Sequence, residues 1–195
     1  IVSLLTAITF HEAAHAFVAD RLGDPTPRLQ GRLSFNPLVH LDIFGTIMIF
    51  LAGFGWGKPV QFDPYNLKNP RRDAALISFA GPASNIIVAA VCSILLRALP
   101  ASPIGGLDGE FFLTSIIRLN VLLAVFNLVP IHPLDGGKVL SALLEPSQAR
   151  VFDEFLGRYG IFVLLFLILP IFGGGGILFS FLSPLINLLL NLFLP

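Results

Sequence analysis

Long apolar runs dominate this chain and restrict it to folds in which much of the surface faces lipid. A helix of about 20 apolar residues crosses the hydrocarbon core of a bilayer. Four runs resemble such spans, the last of them a helical hairpin divided by glycines: residues 1–19, 74–99, 111–129 and 161–194. A fifth run, residues 43–54, is short for a membrane-spanning helix and contains glycines. We expect it to be re-entrant or interfacial.

Composition supports a bilayer as the solvent. Only 12% of the 195 residues are charged and 55% are hydrophobic, against roughly 25% charged in soluble domains. A soluble domain of this size could not bury so much apolar surface. The formal net charge is zero, which gives no indication of nucleic-acid binding. Because Cys92 is the single cysteine, an intrachain disulfide and a thiolate zinc cluster are excluded.

Basic residues set the expected orientation. Lys and Arg are absent from the loop at 100–110 and occur in three other segments: 20–42, 57–73 and 136–159. The positive-inside rule places these three in the cytoplasm and 100–110 outside. Both flanks of 43–54 then lie on one side, so we expect that run to enter the membrane and return. Arg32-Leu33-Ser34-Phe35 alternates polar and apolar side chains, which predicts a short strand near the cytoplasmic face.

The first apolar run carries the segment His11-Glu12-Ala13-Ala14-His15. On a helix, positions i and i+4 project from one face, and this spacing suits two imidazoles that bind one tetrahedral zinc ion. Glu12 points to the neighbouring side, where a water molecule activated by the metal would need a general base. Ionisable residues in an apolar span are costly and are usually functional. We therefore predict a metalloprotease centre inside the membrane.

Two histidines do not complete a catalytic zinc site, because a third protein ligand is required. A metzincin would have Gly and His at positions 18 and 21, but these are Val18 and Arg21. A gluzincin would need a Glu on a nearby downstream helix, but the first Glu after Glu12 is Glu110, in the loop predicted to lie outside. The segment 127–137 offers Asp135 instead, between helix-breaking prolines and a pair of glycines. The third span delivers Asp135 to the cytoplasmic end of the membrane, the end that His15 also approaches. We therefore predict Asp135 as the third ligand.

The chain resembles the site-2 protease family of intramembrane zinc metalloproteases. The resemblance covers residues 1 to about 140 and rests on three motifs in order: His11-Glu12-x-x-His15, Gly81-Pro82-Ala83-Ser84-Asn85, and Asn127 through Gly137. It implies His11, His15 and Asp135 as zinc ligands, Glu12 as catalytic base, and Asn127 near the substrate or oxyanion. The chain shows no PDZ insertion or nucleotide-binding tail, so it looks like a minimal form.

Other polar residues are candidates for supporting roles. Asn85, with Gly81 and Pro82, fits close helix packing better than chemistry, while His132 fits local structure or a contact with metal or substrate. His40 fits a structural role in a cytoplasmic loop. A stripe of polar residues in the last apolar run predicts contacts between helices, including those of a homo-oligomer: Ser180, Ser183, Asn187 and Asn191.

These observations predict an all-α polytopic membrane protein with about five to six membrane helices and a short β-containing or re-entrant element near the cytoplasmic face. We divide it into a catalytic core (1–137), a cytoplasmic amphipathic segment (138–158) and a transmembrane hairpin (159–195). The expected activity is zinc-dependent cleavage of transmembrane protein substrates in a prokaryotic cell membrane, in contact with lipid. The alternative is a membrane metal transporter or metal-binding protein with the same ligands, which would tolerate Glu12→Gln.

Overall fold

The computed structural model describes residues 1–52, 56–98, 109–169 and 176–195, and this part of the chain is helical without a β-strand. Its eight α-helices follow the chain in this order: α1 (Val2–Leu22), α2 (Thr26–Leu29), α3 (Ile43–Ala52), α4 (Pro70–Ala98), α5 (Gly109–Asn127), α6 (Asp135–Leu143), α7 (Pro146–Ile168) and α8 (Ile177–Phe193). Two short 3-10 turns lie at Pro37–Val39 and Pro64–Asn66.

Three helices are long and apolar enough to cross a membrane: α1, α4 and α5. They confirm three of the predicted spans, with ends that differ by a few residues. Helix α3 has ten residues and is about 15 Å long, which is half of the roughly 30 Å hydrocarbon core. Among the described residues, the run that begins at residue 43 is therefore too short to cross. Most of the predicted outer loop 100–110 and glycines 173–175 lie outside the described residues.

The predicted strand at residues 32–35 is wrong, because these residues have irregular backbone. Local hydrogen bonds replace strand pairing: Asn36 Oδ1 accepts the amide of Leu38 and begins the 3-10 turn, while Ser34 Oγ accepts the amide of Asn36. Arg32 is buried, with 3% of its surface exposed, and donates to the carbonyl of Val39. In the described residues, β-type pairing is limited to one antiparallel bridge between Leu41 and Gly57.

The C-terminal part is organised around Pro146. Helix α6 ends at Leu143, and α7 begins at Pro146, where a missing amide hydrogen costs nothing. Glu145 and Gln148 form a capping box at this start. Helix α7 then continues to Ile168, so the predicted boundary between residues 158 and 159 falls inside it.

Helix α4 lies at the centre of the bundle and packs against α1, α5 and α6. Alanines 7, 13 and 16 of α1 are fully buried, and such small residues let membrane helices approach closely. Two buried amides join three helices: Asn85 Nδ2 of α4 donates to the carbonyl of Ala7 and to Asn120 Oδ1 of α5. Because Ala7 lies opposite Asn85 and His15 lies opposite Ile77, α1 and α4 run antiparallel.

Asp24 fixes the chain just beyond α1. Gly23 ends that helix with a left-handed φ of 110°, a conformation that favours glycine. The Asp24 side chain is fully buried and accepts hydrogen bonds from Thr26, the backbone amide of Asp63 and Asn66 Nδ2. Burial alone would raise the pKa of Asp24, but these donors outweigh it and lower the pKa below its ordinary value.

The substitution Asp24→Asn is expected to lower the free energy of unfolding by about 2 kcal/mol, because an amide cannot accept all of these hydrogen bonds. At pH values above its unfolded-state pKa of about 4, a carboxylate with a lowered folded-state pKa stabilises the fold. This stabilisation is lost as the pH falls through the folded-state pKa. Thermal unfolding in detergent at pH 7 and pH 3 measures this difference, which should shrink at the lower pH.

Asp20→Asn is the matched control, because Asp20 pairs with Arg28, whose side chain is 66% exposed, and such surface pairs contribute at most about 1 kcal/mol. If Asp24→Asn lowered the free energy of unfolding by the same amount at pH 7 and pH 3, Asp24 would not act as an ionised hydrogen-bond acceptor.

Candidate metal centre

Three potential ligand atoms converge from two distant stretches of chain. His11 and His15 lie one turn apart on α1, with ring centroids 4.6 Å apart. Asp135 Oδ2 lies 3.0 Å from His11 Nε2 and 3.3 Å from His15 Nε2. One ligand atom from each of the three residues falls within 4.8 Å of the others. Both histidines are buried and Asp135 is partly buried, so the group is largely shielded from water.

The opposite nitrogen of each imidazole has an oxygen partner. His11 Nδ1 lies 2.7 Å from Asn85 Oδ1, and His15 Nδ1 lies 2.7 Å from the carbonyl of Ile77. A carbonyl oxygen accepts a hydrogen bond from a protonated Nδ1, which leaves the Nε2 lone pair directed at the common centre. Two imidazole nitrogens and one carboxylate oxygen form a donor set that fits catalytic zinc. The residues present therefore fit the metal.

Asp135 reaches the centre because the backbone bends between α5 and α6. Pro130 and Pro133 lie in this bend, and Asp135 is the first residue of α6. A Cβ on Gly136 would lie 2.2 Å from the carbonyl oxygen of Leu128, so only glycine allows this close approach. The sequence predicted this bend, and the structure brings Asp135 to both histidines.

Gly81 makes room for the two imidazoles, a role that the sequence analysis missed. A Cβ at this position would lie 2.5 Å from His15 Cε1 and Nε2, and 2.7 Å from His11 Cε1. The motif of Gly81 and Asn85 was predicted to serve helix packing, yet both residues contact the histidines. A glycine four residues before a polar amide in an apolar span was the available signal.

Glu12 lies beside the centre, and the segment at residues 57–60 covers it. Glu12 Oε2 accepts the backbone amide of Val60 at 2.9 Å. The backbone of the same segment is held where Lys58 donates its amide to the carbonyl of His40. Gly57 lies close to Glu12 Oε1, because a Cβ there would be 4.0 Å away. The contact of Val60 was not predictable from the sequence, since it comes from a backbone amide that any residue but proline supplies.

Lys138 adds positive charge near the centre. It lies on α6, within electrostatic reach of both Asp135 and Glu12. Its Nζ is 4.7 Å from the centroid of the Phe62 ring, in a cation–π contact. Phe62 in turn packs beside the cluster of Leu67 and Ile77. The segment that covers Glu12 is therefore also joined to α6.

Three other candidate residues have partners outside the group of three ligand atoms. Asn127 Nδ2 donates to the carbonyl of Leu123 at the end of α5. His132 Nε2 lies 3.7 Å from Asp153 Oδ1. His40 is fully buried with Nε2 2.7 Å from the carbonyl of Ser34, which fits the structural role predicted for it.

Comparison with known proteins decides the family. A family model described as Peptidase family M50 matches residues 106–171. A Bacillus subtilis protein named "Putative zinc metalloprotease YwhC" is 40% identical over 174 residues, which cover 85% of this chain and 78% of that protein. The chain belongs to peptidase family M50. This result confirms the predicted resemblance to site-2 proteases.

Two relatives with lower identity are also named as zinc metalloproteases. "Putative zinc metalloprotease Rip2" of Mycolicibacterium smegmatis is 32% identical, with 85% of this chain and 65% of that protein covered. "Zinc metalloprotease MJ0392" of Methanocaldococcus jannaschii is 25% identical, with 73% and 33% covered. No solved structure matches the chain significantly. As a member of family M50, the protein is a zinc metalloprotease of the site-2 protease type, and the transporter alternative is not favoured.

Proposed function

We propose that this M50 enzyme cleaves transmembrane protein substrates within or beside their spans, with His11, His15 and Asp135 as the zinc ligands and Glu12 as the catalytic base. The convergence of the three ligand atoms carries this proposal. Asp135 is 124 positions from His11 in the chain, yet Asp135 Oδ2 lies 3.0 Å from His11 Nε2. The oxygen partners of both Nδ1 atoms also support it, because they orient the imidazoles towards one point.

The proposed reaction divides the work between the metal and Glu12. Zinc, when bound, makes a water molecule more acidic and polarises the scissile carbonyl. Glu12 is proposed to accept the proton of the attacking water at Oε1 and to deliver it to the departing amine. The Val60 amide holds Oε2 at 2.9 Å, which fixes the carboxylate orientation and leaves Oε1 available. Lys138 lies within reach of this charge and opposes the accumulation of negative charge at the site.

Asn127 is proposed to contact the substrate or the oxyanion. It ends α5 eight residues before Asp135, on the bend that carries the third ligand. Its Nδ2 donates to Leu123, and its Oδ1 makes no hydrogen bond within the described parts of the chain. Rotation of this side chain about χ1 would allow it to donate to a substrate instead.

We also propose that α8 and the C-terminal part of α7, from residue 159 onward, lie in the membrane, which gives five helices in contact with lipid. Helix α7 extends from the predicted cytoplasmic segment into the membrane, and α8, with 17 residues, is about 26 Å long. The distribution of Lys and Arg supports an active site nearer the cytoplasmic side. The bacterial and archaeal relatives support a prokaryotic cell membrane.

A homo-oligomer is a further proposal. The polar stripe of α8 is exposed at all four positions: Ser180, Ser183, Asn187 and Asn191. Exposed amides and hydroxyls in lipid favour hydrogen bonds with another helix. A second copy of the chain would supply such a helix.

Removal of the metal tests the proposed activity. The purified enzyme in detergent is expected to cleave a model transmembrane peptide, to lose activity after treatment with a zinc chelator, and to recover it when zinc is added back, because the proposed ligands hold the metal reversibly. Cleavage is followed by mass spectrometry of the products. Cleavage that continues in fully metal-free enzyme would contradict the proposal.

A further inference from the structure

Two clefts meet beside α4, at the end of the bundle where α1 finishes and α4 begins. The first, of about 610 Å³, lies between α4 and α6, with Leu76 and Phe79 of α4 and Val139 and Leu143 of α6 among its lining residues. The second, of about 400 Å³, lies between the end of α1 and the start of α4. Asn69, Arg72 and Leu76 line both clefts, so the two spaces adjoin at Arg72.

The second cleft is basic. Arg21, Lys68 and Arg72 line it, together with one acidic residue, Asp73. Asp73 is buried and accepts the backbone amide of Asn69, which uses one of its oxygens. The three cations are exposed and form no ion pair or hydrogen bond within the described residues. Three unpaired cations against one carboxylate leave this cleft with an excess of positive charge that an anion can neutralise.

The first cleft is apolar, and its lining is exposed. Leu76 is 43% exposed, Phe79 48% and Leu143 79%. Arg72, Leu76 and Phe79 follow the spacing i, i+4, i+7, so they lie along one face of α4. A single helix face therefore presents a cation and, beyond it, a stripe of apolar side chains. Arg71, the other cation of this cleft, is already paired with the carbonyls of Ser141 and Leu144.

The depth of the two clefts follows from the pairing of α1 with α4. His15 Nδ1 contacts the carbonyl of Ile77, and the two helices are antiparallel. Arg21 lies six residues beyond His15, about 9 Å, and Arg72 lies five residues before Ile77, about 7.5 Å. Arg21 and Arg72 are therefore at one level, at the charged end of two membrane-spanning helices. Leu76 and Phe79 lie deeper, at the level of the histidines.

We propose that these clefts bind one anionic phospholipid, with its phosphodiester headgroup among Arg21, Lys68 and Arg72 and an acyl chain along Leu76 and Phe79. Basic pockets at helix ends recognise lipid headgroups by charge, and the apolar cleft supplies the surface that an acyl chain covers. A free phosphate ion would use the cations but would leave the apolar cleft empty. The two clefts adjoin at Arg72, and this arrangement favours the lipid.

Native mass spectrometry of delipidated protein titrated with phosphatidylglycerol tests this proposal. The wild type is expected to retain one such lipid. The double variant Lys68→Gln/Arg72→Gln should bind it roughly 30-fold more weakly, because each basic residue near a headgroup contributes about fivefold. The control Arg150→Gln/Arg158→Gln removes the same charge from α7 and should bind as the wild type does. Equal binding by the cleft variant and the wild type would overturn the proposal.

Two further probes separate the ligand sources. Phosphatidylcholine should bind much more weakly than phosphatidylglycerol, and inorganic phosphate should not displace the lipid at comparable concentration. Equal affinity for phosphatidylcholine would overturn the role of the cations, and displacement by phosphate would show a site for a free anion.

A second double variant addresses the apolar cleft without removing charge. Leu76→Ala/Phe79→Ala should also weaken lipid binding, whereas Ile87→Ala/Ile94→Ala, at exposed positions of the same helix, should not. Thermal unfolding in neutral detergent shows that each variant is folded. Full lipid retention by Leu76→Ala/Phe79→Ala would contradict the acyl-chain assignment.

Discussion

Glu12→Gln enzyme is expected to bind zinc as the wild type does and to cleave a model transmembrane peptide about 10²- to 10⁴-fold more slowly, the range that a general base contributes. The amide has almost the same shape as the carboxylate, and its oxygen can still accept the Val60 amide now bonded to Glu12 Oε2. It cannot accept a proton from water. Zinc content and kcat/KM measured on the same sample separate these two properties.

Glu154→Gln is the matched control, because Glu154 is exposed and lies on α7, a helix that carries none of the three proposed ligands. It should leave both properties unchanged. If the Glu12 variant kept more than a tenth of wild-type activity, Glu12 could not be the base.

Gly81→Ala is expected to lower activity roughly 100-fold and to weaken zinc binding. The added methyl group would lie 2.5 Å from the His15 ring, where ordinary contacts begin near 3.4 Å. The imidazoles or α4 must then move by roughly 1 Å, and a displacement of that size at a reacting centre can cost 10²-fold in rate. Competition with a zinc-binding dye measures the affinity, and peptide cleavage measures the rate.

Gly157→Ala provides the comparison for this prediction, because a Cβ at that helical position meets nothing within 4 Å. It should be neutral or slightly stabilising. Normal zinc affinity in the Gly81 variant would mean that the imidazoles do not need this space, and that the close approach of α4 to α1 has another purpose.

Local spacing predicted the parts of the site that lie on one element. The pairing of His11 with His15 follows from helix geometry alone. Asp135 was predicted from less direct evidence, since the prolines before it end α5 at the depth of the histidines. The spans were predicted because apolar composition over about 20 residues overrides finer preferences.

Contacts between distant segments were not predictable in the same way. The Val60 amide, which meets Glu12, has no side-chain signature in the sequence. The role of Gly81 depends on which face of α4 meets α1, and a helix that is apolar on most sides does not reveal that face. The predicted strand at 32–35 failed because four alternating residues are weak evidence, and local bonds from Ser34 and Asn36 hold the backbone in another form.

The central claim is that two remote segments share one zinc ion, and X-ray absorption at the zinc edge of Asp135→Cys tests it most directly. The variant is made in a Cys92→Ala background, which removes the single native cysteine. A sulfur at about 2.3 Å from zinc is the expected new feature, or else loss of the metal where the shorter side chain fails to reach. Zinc bound at wild-type affinity and without a sulfur neighbour would contradict the claim, because residue 135 would then not be a ligand.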